Sequence, residues 1–270
     1  MPHVRVISFD LWDTVFADDS DEPKRRQLGL PSKPVERRDL VHGFLSRHAD
    51  IERALVDCAY DTTDAAYRQV WRQQHVTWTV EVRLRVLLGG LKRELPDEEF
   101  RELVRLHEEM ELRVPPDLVP GVADALKTLA RRYRLMVISD TIFSPGRVLR
   151  ELLAGYGLLD FFSAFVFSDE LGWSKPAPQV FRRAAELMDC QLGEMVHIGD
   201  RERNDIAGPK ALGARAVLLT AAIDRGTAGT QADAVCADYR QLPDIIESMD
   251  TGRTDDRLLS SVTQPPSGER

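Results

Sequence analysis

EMVHIGDRERNDIAGPKALGARAVLL, residues 194–219, holds two near-continuous apolar runs separated by an acidic loop and a segment rich in Ala and Gly. Such runs do not alternate apolar with polar residues, which is how strands covered on both faces read. The stretch therefore reads as strand, loop, helix, strand, the repeating unit of a parallel sheet. Three further runs carry the same signature: VRVISF (4–9), RLMVIS (134–139) and SAFVFS (163–168). Between runs, residues 121–133 set Val122, Ala125, Leu126 and Leu129 on one helical face. Residues 177–188 do the same with Val180, Phe181, Ala184 and Leu187. The expected fold is α/β, a doubly wound parallel sheet. A weaker unit, ADAVCADYRQLPDIIESM (232–249), adds an edge strand and a last helix.

Residues 18–115 break this alternation. They open with a polar, Pro-containing stretch, DDSDEPKRRQLGLPSKP, and then read as helices near 34–48, 50–75, 79–93 and 97–112. In the second of these Ile51, Leu55, Cys58, Thr62, Ala65 and Val70 keep helical spacing, and Pro96 before Asp97, Glu98 and Glu99 is a good helix start. The expected organisation is a core domain of residues 1–17 and 116–249 with an all-helical domain, 18–115, inserted after the first strand. The polar tail, 250–270, is expected to be disordered.

Composition narrows the function classes. The chain is 43% hydrophobic over 270 residues, enough for one large core and a smaller unit. The net charge of -8, with acidic and basic residues interspersed, leaves no basic stripe for nucleic acid. Cys58, Cys190 and Cys236 are scattered and odd in number, which fits a reducing compartment. There is no signal-peptide pattern and no apolar run of about 20 residues that could span a bilayer, so the chain is expected to be cytoplasmic and to have no membrane partner.

In an open parallel sheet, ligands bind beyond the carboxyl ends of the strands. The residues at those ends are Asp10 with Thr14, Ser139 with Asp140, Lys175 in the loop GWSKPAP, and Asp200 with Asp205 in HIGDRERNDIAG. A carboxylate, a hydroxyl, an ammonium group and a second acidic cluster are the side-chain types that phosphoryl transfer through an aspartyl-phosphate needs.

These four segments, in this order, resemble the four motifs of the haloacid dehalogenase superfamily, most of whose members are Mg²⁺-dependent phosphatases. The resemblance runs from residue 4 to about 220 and is most specific in GDRERNDIAGPKALGARAVLL; the inserted helices match the family's helical cap. It implies that Asp10 attacks phosphorus, and that Asp10, the Trp12 carbonyl and Asp200 hold Mg²⁺, with Asp205 supporting the metal directly or through water. It further implies that Ser139 and Lys175 bind the phosphate of a small-molecule substrate, that Asp140 supplies backbone contacts to it, and that Thr14 holds the turn and hydrogen-bonds to Asp10.

The pattern departs at Trp12, where the phosphatases carry an Asp that protonates the leaving group and later activates water. Indole can do neither. Hydrolytic dehalogenases carry an aromatic there, usually Tyr, because halide leaves without a proton. They use no metal, however, and replace the Gly-Asp kept here as Gly199 and Asp200. Their active-site aromatic six residues after the Lys is Phe181 here, which lacks a hydroxyl. A phosphonatase needs a cap lysine, and Lys24, Lys33 and Lys92 read as surface charges. Asp13 reads as a turn residue rather than a displaced acid. Arg68, Arg72, Lys92 and Arg93 are candidates for reading the substrate. A fold member reduced to ligand binding is the non-enzymatic alternative.

Overall fold

The computed structural model describes residues 3–252. β1 (Val6–Phe9) opens the sheet, and six helices follow: α1 (Asp21–Gln27), α2 (Lys33–Ser46), α3 (Arg53–Gln74), α4 (Val80–Leu91), α5 (Asp97–Glu108) and α6 (Met110–Arg113). The chain then alternates through α7 (Val122–Leu129), β2 (Arg134–Ser139), α8 (Gly146–Gly155), β3 (Phe162–Phe167), α9 (Ser168–Leu171), α10 (Pro178–Leu187) and β4 (Met195–Gly199). A short α11 (Gly208–Lys210), β5 (Arg215–Leu219), β6 (Ala234–Cys236) and α12 (Leu242–Thr251) complete it. The strands are all parallel in the order β3-β2-β1-β4-β5-β6, so strand order reverses at β1 and a crevice opens there.

Both faces of the sheet are covered, which is why its strands read as unbroken apolar runs. Ile7, Phe9, Leu135 and Val137 pack into one core with residues of α7, α8 and α12. Their neighbours Val6, Met136 and Ile138 point the other way, into a second core with Val180, Phe181 and Ala184 of α10. The α/β fold and the weak sixth unit are as the sequence implied. The expected tail from residue 250 overlaps the end of α12, which runs through Thr251, and otherwise lies outside the described residues.

α2 to α5 enclose a core of their own around Val41, Phe44, Tyr60, Leu84, Leu87 and Leu103. Two expectations change here. The stretch 18–34 contains a helix, α1, and the buried face of α3 is Val56, Tyr60, Thr63 and Tyr67 rather than the face bearing Leu55 and Cys58, both exposed. The true face is polar-aromatic because guanidinium groups lie over its rings, Arg38 over Tyr60 at 4.8 Å and Arg83 over Tyr67 at 4.6 Å.

The helical segment leaves and rejoins the sheet at one point, since the Ala17 amide donates to the Asp117 carbonyl at 2.9 Å and the Val119 amide to Val15 at 2.9 Å. A second tie is made after α3. There the Thr77 amide donates to the Gly172 carbonyl (3.1 Å) and the Ser174 amide to the His75 carbonyl (2.8 Å), beside Lys175. No helix among the described residues is long and apolar enough to cross a membrane.

Candidate active site

The β1–β4 pairing fixes the first two carboxylates. The Asp10 amide donates to the Ile198 carbonyl at 2.9 Å, so the chain leaves β1 level with the end of β4, where Asp200 follows Gly199. Beyond Asp200 the expected Ala/Gly-rich helix is mostly a single wide turn, Glu202–Ala207, with only α11 behind it. Such turns insert an extra residue per turn and redirect side chains. Here the turn folds Asp205 back against the strand end. Gly199 is required for that approach, because a Cβ there would lie 2.4 Å from the Asp205 carboxyl carbon.

Lys175 sits between two of these groups. Its Nζ donates to Asp205 Oδ1 at 2.6 Å and lies 2.8 Å from Asp10 Oδ1, with the lysine and both acids buried. Its backbone amide donates to Asp140 Oδ1 at 2.8 Å, and Asn204 Nδ2 donates to Asp140 Oδ2 at 3.2 Å. Asp10, Asp200 and Asp205 each bring an oxygen within 4.8 Å of the others. Asp200 Oδ1 is buried with no hydrogen-bond partner among the described residues. A buried acceptor left unmade in a cluster of hard oxygens fits a Mg²⁺ site.

The electrostatics reflect too many acids around too few cations. Burial pushes Asp200 up to about 7, with Asp10 and Asp205 adding to it. Burial likewise raises Asp140 to about 7 despite Lys175, and raises Asp10, again against the pull of Lys175. Asp205 goes the other way: burial opposes its ionisation, but Lys175 and His197 outweigh burial and hold it below the usual carboxylate range. Burial opposes the charge on Lys175, yet Asp10, Asp205 and Asp140 outweigh it and raise its pKa.

A cleft of about 240 Å³ lies over this floor, lined by Asp10, Trp12, Asp140, Lys175 and Asp205 below. Lys33, Arg37, Trp71, Glu111 and Phe143 line it from above. Lys33, read as a surface charge, is buried; its Nζ donates to Asp21 at 2.8 Å and lies 3.4 Å from Glu111. The cations of the upper wall are Lys33 and Arg37; Arg68, Arg72 and Lys92 are exposed, and none of these three nor Arg93 lines the cleft.

The structure brings Asp10, Trp12, Asp140, Lys175, Asp200 and Asp205 together. Ser139 is buried at the end of β2 and its hydroxyl makes only a 3.5 Å contact, with the Asp140 carbonyl. Asp140 contributes its carboxylate as well as its backbone. The expected Thr14–Asp10 hydrogen bond is not formed: the Thr14 hydroxyl is buried without a partner. The turn is held instead by backbone, with the Thr14, Val15 and Phe16 amides all directed at the Leu11 carbonyl, while the Thr14 carbonyl accepts from Tyr239 Oη at 2.7 Å. Asp13 stands at φ 53° and its carboxylate accepts from the Asp18 amide at 3.1 Å, outside the cleft lining. Phe181 is buried against His197, ring centroids 5.5 Å apart, as a core residue.

Two contributors escaped the sequence. His197 was hidden in an apolar strand; its Nε2 lies 3.2 Å from Asp205 Oδ1 and its Nδ1 2.8 Å from Ser8 Oγ. Because ionised Asp205 can only accept, Nε2 carries the proton and Nδ1 accepts from Ser8. Arg225, far along the chain in a polar loop, reaches Asp200 and Asp13. The histidine's place in a strand facing the second core was the one available signal for it; for Arg225 there was none.

Comparison with known proteins agrees with this geometry. Residues 4–213 match the family model for haloacid dehalogenase-like hydrolases. The chain is 28% identical over 263 residues to phosphoglycolate phosphatase of Neisseria meningitidis serogroup A, covering 92% of this chain and 94% of that one. It is 30% identical over 142 residues to phosphoserine phosphatase of Thermus thermophilus, covering 47% and 55%. Among solved structures, a 2-haloacid dehalogenase from Pseudomonas syringae pv. Tomato superposes with a TM-score of 0.68 at 22% identity, covering 91% of this chain and 99% of that one. A phosphatase from Thermococcus onnurineus follows at 0.61 and 20%, covering 90% and 98%. The fold is common to phosphatases and dehalogenases alike, and the chain belongs to the haloacid dehalogenase-like hydrolases.

Proposed function

We propose that this hydrolase is a Mg²⁺-dependent phosphatase that releases phosphate from a small-molecule phosphate ester by way of an aspartyl-phosphate on Asp10. The observation that carries the reading is the buried Asp200, one of whose oxygens is unpartnered among the described residues, in a cluster in which Asp10, Asp200 and Asp205 each bring an oxygen within 4.8 Å of the others, since a dehalogenase has no use for a cation site. The near full-length match to a phosphatase supports it. In this reading residues 18–115 form a cap domain over a core domain of 1–17 and 116–249.

Asp10, the Trp12 carbonyl and Asp200 would hold Mg²⁺, with Asp205 outside them, because its oxygens already accept from Lys175, His197 and the Arg201 amide. When bound, the ion neutralises phosphate charge and lets a carboxylate approach an anionic substrate. An Asp10 oxygen attacks phosphorus, the bond from phosphorus to the ester oxygen breaks, and water then cleaves the acyl phosphate to regenerate Asp10 and release phosphate. Lys175, Ser139 and the backbone at Asp140 hold the phosphoryl oxygens. Trp12 donates no proton, so the ester oxygen departs unassisted by that position. A phosphonatase-type lysine is disfavoured: such chemistry needs a neutral amine, whereas Glu111, Asp21 and Asp19 outweigh burial and raise the Lys33 pKa.

The test is a series of aryl and alkyl phosphates and 2-haloacids, each assayed with Mg²⁺ and with EDTA. Phosphate release is expected only with Mg²⁺, with good leaving groups favoured over alkoxides by about 10²–10⁴-fold, the usual worth of a positioned acid. Halide release that persists in EDTA would overturn the reading.

A further inference from the structure

Asp200 carries one oxygen that is taken and one that is not. Its Oδ2 accepts from Arg225 Nε at 2.6 Å, while Oδ1 has no partner. A carboxylate on a short side chain rotates with a broad, two-fold torsion, so nothing intrinsic decides which oxygen is presented to a cation or in what plane. Arg225 supplies that decision. Its other arm is anchored as well, Nη2 donating to Asp13 Oδ2 at 2.6 Å. Asp13 is itself fixed, since Oδ1 accepts from the Asp18 amide and its own amide donates to the Phe16 carbonyl at 2.7 Å. The guanidinium fork thus ties the turn that follows Asp10 to the end of β4, and a planar fork suits such a two-point clasp where an ammonium group would not.

We propose that Arg225 is a positioning residue for the divalent-cation site, orienting Asp200 through one arm while Asp13 anchors the other, an inference that rests on the metal-dependent reading above. It gives Asp13 a function that is neither acid nor base. It also assigns the loop between β5 and β6 to the site, a mostly exposed loop held by Glu202, which accepts from Thr230 Oγ1 (2.6 Å) and the Gln231 amide (2.9 Å). A competing effect has the opposite sign: Arg225 is a cation beside a cation site, and removing it would strengthen attraction for the metal. Partners that orient a metal ligand are worth about 10–100-fold in affinity. At a rim where the Arg225 side chain is 37% exposed, solvent weakens the repulsion, so orientation dominates.

The experiment is calorimetric titration of Mg²⁺ alone, and of Mn²⁺ alone, into the full-length metal-free protein. Wild type is compared with Arg225→Lys, Arg225→Ala, Asp13→Asn and the double variant Arg225→Ala/Asp13→Asn, with circular dichroism as a check on folding. Each single variant should weaken binding by about 10-fold or more, Arg225→Lys included although it keeps the charge. The double variant should be no weaker than Arg225→Ala. Tighter binding by Arg225→Ala would show a competitor in place of a positioner and overturn the proposal, as would folded variants whose affinity is unchanged. Wild type that binds neither ion would overturn the metal-dependent reading and this inference together.

Discussion

Two buried charge clusters face each other across the cleft, and they are balanced differently. In the helical wall the buried cations Lys33 and Arg37 meet the buried acids Asp21 and Glu111, while Ser144 Oγ donates to Glu111 at 2.6 Å. In the sheet wall Asp10, Asp140 and Asp205 gather around the buried cation Lys175, while Asp200, beside Asp10 and Asp205, is paired with Arg225 at the rim. The first cluster is balanced in charge, two cations against two acids, although Asp21 Oδ2 and Arg37 Nε are buried without a hydrogen-bond partner among the described residues. The second carries surplus negative charge that burial makes expensive, and a site in that state is completed by what it binds.

The sharpest way to break the comparison is at Asp10, the proposed nucleophile. Asp10→Asn should lower phosphate release by about 10⁴-fold or more, as removing a nucleophile does, while leaving the metal-free melting temperature unchanged or higher because a repelling charge is gone. Turnover within ten-fold of wild type would move the chemistry off Asp10. In the helical wall the same kind of change should do the reverse. Glu111→Gln leaves Lys33 and Arg37 under-compensated and should cost about 3 kcal/mol in urea unfolding, the usual cost of breaking a buried pair. A loss below about 0.5 kcal/mol, the scale of an ordinary surface substitution, would show the upper cluster to be dispensable. The smallest effect is pH-dependent. A folded-state pKa near 7 for Asp140, raised by burial above its ordinary value of 3.8, means the native state holds a proton the unfolded chain has lost. Stability from this group is therefore present at low pH and lost as pH rises from about 4 to 7. Asp140→Asn should flatten that decline, gaining on the order of 2 kcal/mol at pH 8 relative to pH 5. Identical pH profiles for the two proteins would remove Asp140 from the surplus.

The contrast also explains what could be read in advance. Strands buried on both faces announce themselves as apolar runs, with Asp10 and Asp200 at the ends of β1 and β4 and Lys175 in the loop beyond α9, so the sheet wall was legible. In the helical wall α2 to α5 were legible as helices, but the charged lining and α1 were not, because buried charges read as polar surface. α1 points Asp21 and Arg25 inward, both fully buried, and Arg25 Nε donates to the Pro31 carbonyl at 3.1 Å. A pattern search sees such a segment as a polar loop. Arg225 was invisible for a different reason: it is 25 residues beyond Asp200 in an irregular loop, and only the folded chain brings them together. The lost helix after Asp200 was a matter of degree, since small residues predict a helix but not the wide turn that Asp205 makes of it.

The pairing of Ala17 with Asp117 gives the inserted helices almost no separation to bridge between their two ends. Chain that departs and returns through neighbouring residues adds an excursion without lengthening any path within the sheet, so it can be exchanged for another of unrelated size at little cost in loop closure. The protein is in this sense built like a lathe with an interchangeable head. A roof transplanted at 17 and 117 would keep that closure and change what lines the cleft, but it would also have to replace the second tie, from the Thr77 amide to Gly172 and from the Ser174 amide to His75, beside Lys175.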